Sequence, residues 1–109
     1  MRALSIQVQP ARSPGLDLVR LRAEFEQIAA SELVQHHRFA EGQDKGPYLN
    51  FTFGTDDAGA LWQLIQARIY DDEGLGGQMR RASMALCSGD AGWDDYTILY
   101  HFNPEAGGR

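Results

Sequence analysis

The sequence predicts one α+β domain in which two amphipathic helices cover one side of an antiparallel sheet. Four short segments alternate polar and apolar residues with the period of two that is typical of strands, and a fifth, over 33–39, has apolar residues only at its ends. Two longer segments repeat their apolar residues at helical spacing. The 109 residues and the 43% apolar content suit a single core, so we expect one domain over residues 1–109, ordered over about 3–103.

The first strand and the first helix are predicted near the start of the chain. Leu4, Ile6 and Val8 alternate with polar residues, and the proline- and glycine-containing segment 10–15 ends the strand. Asp17 is a suitable helix N-cap, and we predict a helix over 16–30. Its apolar stripe consists of Leu18, Leu21, Phe25 and Ile28.

Two further strands and a second helix follow. Residues 33–39 are assigned to a strand, residues 40–47 have turn composition, and residues 48–53 alternate most clearly. Thr55 is predicted to cap a helix that ends at about Tyr70. The apolar stripe of this helix consists of Ala58, Leu61, Trp62, Ile65 and Ile69.

The last two strands are predicted after a glycine-rich loop at 71–78. Ala82, Met84 and Leu86 alternate with smaller residues, which predicts a fourth strand, and Tyr96 to Phe102 form a fifth. Met84 and Leu86 are expected to face the helices. The open face of the sheet is expected to carry Ser5, Gln7, Gln9, Tyr48, Asn50, Thr52, Ser83, Ala85 and Cys87.

The first six elements follow the order β-α-β-β-α-β, which resembles ferredoxin-like domains over residues 3–88. The resemblance implies a two-layer sandwich with strand order 4-1-3-2 and both helices on one face. A fifth strand paired with the fourth would extend that order to 5-4-1-3-2. The resemblance lies in the order of the elements and carries no motif, so it implies a fold and no activity.

Composition restricts the classes of partner and the location. The net charge of −5 disfavours nucleic acid, because binding phosphates requires clustered Lys and Arg. No segment approaches the length of a membrane span, and the alternating start of the chain does not have the pattern of a signal peptide. Cys87 is the single cysteine and cannot form an intrachain disulfide, so we expect a cytoplasmic protein.

No motif in the sequence predicts a metal, a cofactor or a reaction. His36 and His37 are neighbours, so on a strand they point to opposite faces. His101 would lie four strand spacings from them, about 19 Å away. We therefore expect neither a metal site nor a cofactor, and a non-enzymatic role is favoured.

The leading hypothesis is a non-catalytic protein-interaction domain that self-associates. The exposed sheet face or the last strand, an uncharged edge, would pair two copies as a homodimer. Acidic side chains are expected to surround Trp93 at one end of the domain and to suit a basic protein partner. These candidate binding residues are Trp93, Asp94, Asp95, Asp90, Asp56 and Asp57.

The alternative hypothesis is a small-molecule-binding protein or a cofactor-free enzyme. The size of the chain resembles that of small dimeric α+β barrel proteins. That resemblance implies a pocket between the helices and the sheet, often containing a histidine. The candidate pocket residues are His37, Tyr48, His101 and Cys87.

Overall fold

The computed structural model describes residues 1–43, 46–89 and 92–103, which form a five-stranded sheet with helices. Every pair of neighbouring strands is antiparallel, and the order is β2-β3-β1-β4-β5. This is the predicted order, counted from the opposite edge. The strands are β1 (Arg2–Val8), β2 (His36–Gln43), β3 (Pro47–Thr55), β4 (Ser83–Gly89) and β5 (Gly92–His101).

Three α-helices complete an α+β architecture, whereas the sequence predicted two. The second helix continues into the π-helical segment Gln66–Tyr70, so the predicted end at Tyr70 is confirmed. A turn of 3-10 helix, Pro10–Arg12, follows β1. The α-helices are α1 (Leu18–Ala29), α2 (Ala58–Ile65) and α3 (Gly76–Ala82).

The N-cap of α1 is the predicted one, and that of α2 is not. An Asp17 carboxylate oxygen accepts from the backbone N–H of Arg20 at 3.0 Å. Asp57, and not Thr55, is the N-cap of α2, and its carboxylate accepts from Ala60 N–H at 3.0 Å. Thr55 is the buried last residue of β3, and its hydroxyl accepts from Asp57 N–H at 3.1 Å.

The third helix lies where a loop was predicted. Leu75 and Met79 are almost completely buried, so tertiary packing outweighs the low helix propensity of the glycines around them. Gly76 is required there, because a Cβ atom would collide with the carbonyl oxygen of Tyr70. The packing that stabilises α3 is therefore long-range, and the local pattern does not indicate it.

Hydrogen bonds to Asp72 connect the turn before α3 with helix α1. Its carboxylate accepts from the backbone N–H groups of Gly74 and Leu75, each at 2.8 Å. Arg20 on α1 donates to the same carboxylate at 2.7 Å. The bond from Leu75 N–H, and then the bond from Arg20, lower the pKa of Asp72.

The core lies between the helices and one face of the sheet, as predicted. The rings of Phe25 on α1 and Phe51 on β3 stack with centroids 4.2 Å apart, and Phe53 lies 5.8 Å from Phe25. Leu61 on α2 belongs to the same buried cluster. The other strand residues of this apolar cluster are Leu4, Ile6, Val8, Leu49 and Ala85.

The predicted orientation of β4 is wrong. Ala85 is paired with the buried Ile6, so both side chains point towards the helices. Met84 and Leu86 consequently lie on the open face, where they are half-buried, whereas Ser83, Ala85 and Cys87 face the helices. The open face thus carries large apolar side chains that the sequence pattern assigned to the core.

A buried hydrogen-bonded chain explains why β4 turns its small residues towards the helices. Tyr70 is buried, and its hydroxyl lies 2.6 Å from the hydroxyl of Ser83. Ser83 donates its single hydrogen to the carbonyl of Met79 at 2.6 Å, so Tyr70 must be the donor to Ser83. Burial raises the pKa of Tyr70. The large Tyr70 ring occupies the space that a large side chain at position 83 would need.

Candidate binding surface

The open face of the sheet is divided into a polar half and an apolar half. Partners in a strand register share a face, so the pairing identifies the members of each half. The polar half, on β1 and β3, comprises Ser5, Gln7, Asn50 and Thr52. The apolar half, on β4 and β5, carries the large side chains of Met84, Leu86, Tyr96 and Ile98, with the polar residues Ser88 and His101 among them.

A shallow cavity lies where the two halves of the open face meet. Its volume is about 190 Å³. Trp93 forms part of its wall while 45% of that residue stays exposed. The cavity is lined by Ser5, Gln7, Asn50, Met84, Leu86 and Trp93. Trp93 was predicted as a binding residue, whereas the cavity was not predicted.

An irregular hairpin explains how Trp93 leaves the ladder of β4 and β5. Ser88 is paired with Tyr96, but the next residue, Gly89, is paired with Gly92. The three residues from Trp93 to Asp95 therefore form a bulge, and bulges redirect side chains. Gly92 has φ of +90°, which other residues rarely adopt.

A relay of side chains orients the polar wall of the cavity. Arg12 packs over the Phe102 ring at 3.7 Å and donates to the side-chain oxygen of Gln9 at 2.7 Å. The amide nitrogen of Gln9 then donates to the side-chain oxygen of Gln7 at 3.2 Å. This bond occupies one lone pair of the Gln7 oxygen and fixes the orientation of the Gln7 amide at the wall of the cavity.

The predicted acidic residues occupy one end of the sheet at different positions. Asp94 and Asp95 are exposed and follow Trp93. Asp56 lies 3.9 Å from the amino group of Met1, and Asp57 caps α2. Both follow β3, three strand spacings, or about 14 Å, from β5. Asp90 lies outside the described residues. A single acidic cluster around Trp93 thus stays a prediction, and Asp94 and Asp95 are its members next to the cavity.

The alternative pocket residues lie apart from one another. His37 is paired with Phe53 and Cys87 with Leu4, so both lie on the covered face, but on β2 and β4 respectively. Tyr48 and His101 lie on the open face, on β3 and β5. Two strands separate His37 from Cys87, so the four side chains do not form one pocket.

Cys87 lines a second cavity, between α2 and strands β4 and β5. Its volume is also about 190 Å³, and the thiol at its wall is largely buried. The Cys87 thiol lies 3.4 Å from the carbonyl oxygen of Ser88. The cavity is lined by Arg2, Ala58, Gly59, Trp62, Cys87, Thr97 and Leu99.

Metal ligands and membrane-spanning helices were sought in the described part of the chain. Within residues 1–43, 46–89 and 92–103, no three His, Cys, Asp or Glu side chains are arranged to hold a metal ion. None of the helices in these ranges combines the length and the apolar character needed to cross a membrane. Comparison with protein-family models, curated proteins and solved structures finds no match to this chain.

Proposed function

We propose that this chain is a non-catalytic protein-binding domain of ferredoxin-like arrangement, with its contact surface on the apolar half of the open face. The observation that carries the proposal is the cavity beside Trp93. This cavity is lined by the Trp93 ring and by two large apolar side chains, those of Met84 and Leu86. All three lie on the face of the sheet that the described helices do not cover. A cytoplasmic location goes with the proposal, because the single Cys87 has no partner for an intrachain disulfide.

Exposed aromatic residues beside this cavity support a protein partner. Trp93 is 45% exposed and Tyr96 is 53% exposed. Trp and Tyr are enriched among the residues that dominate binding energy at protein interfaces. A face evolved only for contact with water would carry polar residues on β4 and β5 as it does on β1 and β3.

A second copy of the chain is a candidate partner. β5 is an edge strand of the sheet, as predicted, which supports pairing with another β5. Its register with β4 shifts between Ala85 and Leu86 and again between Ser88 and Gly89. Such bulges disfavour strand pairing at an edge, so the open face is the better candidate for a homodimer contact.

Small-molecule binding, of the kind expected for dimeric α+β barrel proteins, is the second candidate function. The cavity beside Cys87 supports it, since Trp62 and Leu99 give this cavity an apolar wall on the covered side. Its volume of about 190 Å³ lies below the roughly 300 Å³ at which pockets for drug-sized ligands begin. We therefore rank this function below protein binding.

Site-specific photocrosslinking in the producing cells tests the proposed function. A benzophenone amino acid at position 96 should give a discrete adduct that Trp93→Ala weakens. The same amino acid at position 19, where Val19 is 82% exposed on α1, is the control. An adduct of twice the 12.1 kDa chain would identify a second copy. Equal adducts from both positions, or none from position 96, would contradict the proposal.

A further inference from the structure

The cavity beside Trp93 has the size of a site for one side chain. Its volume of about 190 Å³ is smaller than the roughly 300 Å³ at which drug-sized pockets begin. Met84, Leu86 and Trp93 form an apolar wall that suits an aliphatic or aromatic group. Interfaces commonly insert one such anchor into a pocket of the partner. A single apolar side chain is thus the occupant that matches both the volume and the wall.

The opposite wall presents hydrogen-bond donors to whatever accompanies that side chain. Arg12 donates a hydrogen bond to the side-chain oxygen of Gln9, and the amide nitrogen of Gln9 donates to the side-chain oxygen of Gln7. The Gln7 N–H groups can donate to an acceptor in the cavity, and a peptide backbone carries a carbonyl oxygen beside each side chain. An extended segment can place a side chain in the cavity and a neighbouring carbonyl on Gln7 at the same time.

Charge indicates what flanks the apolar anchor. Asp94 and Asp95 follow Trp93 directly and are exposed, and the chain carries a net charge of −5. The segment from Tyr96 to Phe102 contains no Lys or Arg. Beside Asp94 and Asp95, an acidic segment would be repelled, whereas a basic one would be attracted during encounter and when bound. The cations of this face lie farther from these carboxylates, because Arg38 is on β2 at the opposite edge of the sheet and Arg12 contacts Phe102 beyond the other end of β5.

We infer that the partner binds as an extended basic peptide with one apolar anchor in the cavity beside Trp93. The inference rests on the proposed function and specifies the chemistry of its partner. The backbone carbonyl next to the anchor accepts from Gln7, and flanking Lys or Arg side chains lie beside Asp94 and Asp95. Trp93 covers the anchor, and its remaining exposed surface contacts the flanking residues.

Three synthetic peptides test the inference by NMR titration of the nitrogen-15-labelled chain. The first is acetyl-Lys-Lys-Leu-Lys-Lys-amide, the second has Ala in place of Leu, and the third has Glu in place of every Lys. The first should shift the indole N–H of Trp93 and the side-chain amide of Gln7. Removing the apolar anchor should weaken binding at least about fivefold, since most of the buried apolar area is lost. The acidic peptide should not bind.

Matched variants separate the two parts of the site. Asp94→Asn with Asp95→Asn should weaken the basic peptide several-fold and reduce the effect of salt. Glu26→Gln with Glu73→Gln removes the same charge from exposed positions elsewhere and should change binding far less. Gln7→Met should weaken the first peptide, whereas Gln43→Met, near the end of β2, should not. Amide spectra confirm that each variant is folded.

Several outcomes would overturn the inference. Equal binding of the acidic and basic peptides, shifts centred away from Trp93 and Gln7, or no shifts at millimolar peptide would each do so. A crosslinked partner at position 96 would leave the proposed function standing in each case, and a crosslinked second copy of this acidic chain would overturn the inference alone. Absence of that crosslink together with specific binding of the first peptide would instead count against the function while retaining the peptide site.

Discussion

The two faces of the sheet are built from the same strands but differ in burial and in the character of their side chains. On the covered face, Phe51 and Phe53 pack with Phe25 among fully buried side chains. On the open face, their neighbour Thr52 shares a hydrogen bond of 3.0 Å with Ser5. The difference on β3 follows ordinary alternation. On β4 it does not, because Met84 and Leu86 on the open face are larger than Ala85 on the covered face. In β4 the smaller side chains are therefore the ones buried beneath the helices, so the size of an apolar side chain does not predict which face it occupies.

The largest expected effect comes from truncating the stacked ring on the covered face. Phe51→Ala should lower the free energy of unfolding by about 3–5 kcal/mol, because it opens a cavity against Phe25. Leu86→Ala on the open face removes a half-buried side chain and should cost less than about 2 kcal/mol. Urea denaturation of both variants measures the comparison. Equal losses would mean that the helices do not distinguish the two faces.

The orientation of β4 can be tested by enlarging one residue on each face. Ala85→Leu should destabilise the chain by about 1–3 kcal/mol, because the covered face has no space for the added atoms. Met84→Leu preserves volume on the open face and should cost less than about 1.5 kcal/mol. Thermal unfolding compares the two. If Met84→Leu were the more harmful change, the predicted orientation would be correct and the observed one wrong.

The buried hydroxyl of Tyr70 provides a smaller effect on the covered face. Tyr70→Phe removes the donor to Ser83 and leaves the bond from Ser83 to the Met79 carbonyl intact. We expect a loss of about 1 kcal/mol, the usual contribution of one such hydrogen bond. Urea denaturation measures it, and Tyr96→Phe, at an exposed position on β5, is the control. An unchanged free energy of unfolding for Tyr70→Phe would mean that this bond does not stabilise the fold.

The smallest expected effect on stability concerns Asp72. Its carboxylate links Arg20 on α1 to the backbone of the turn before α3. Its folded-state pKa is lowered, so its contribution to stability is complete above the ordinary carboxyl value of 3.8 and is lost as pH falls through the lowered value. Asp72→Asn should therefore lower the melting temperature at pH 7, and the difference from the unaltered chain should shrink in acid. A difference that grew as the pH fell would contradict this assignment.

Much of the architecture was accessible from local patterns. The spacing of Leu21, Phe25 and Ile28 predicted the buried stripe of α1, and alternation in β1 and β3 predicted their covered residues. In these segments polar and apolar residues differ clearly, so the pattern fits either the helical period of 3.6 or the strand period of 2, and not both. For the candidate binding surface, Trp93 was predicted from its residue type. The bulge that redirects it depends on a pairing register that no local pattern contains.

The remaining features arise from contacts between distant segments. In β4, the set Ala85 and Cys87 and the set Met84 and Leu86 are both apolar. Periodicity therefore predicts a strand there but does not determine which set faces the helices. Pairing of Ala85 with Ile6 and the Tyr70 ring above Ser83 set that orientation in the folded chain. Helix α3 likewise forms because Leu75 and Met79 reach the core, against the propensity of its glycines. Periodicity records which residues avoid water, whereas register and helix packing determine which of two apolar sets is buried.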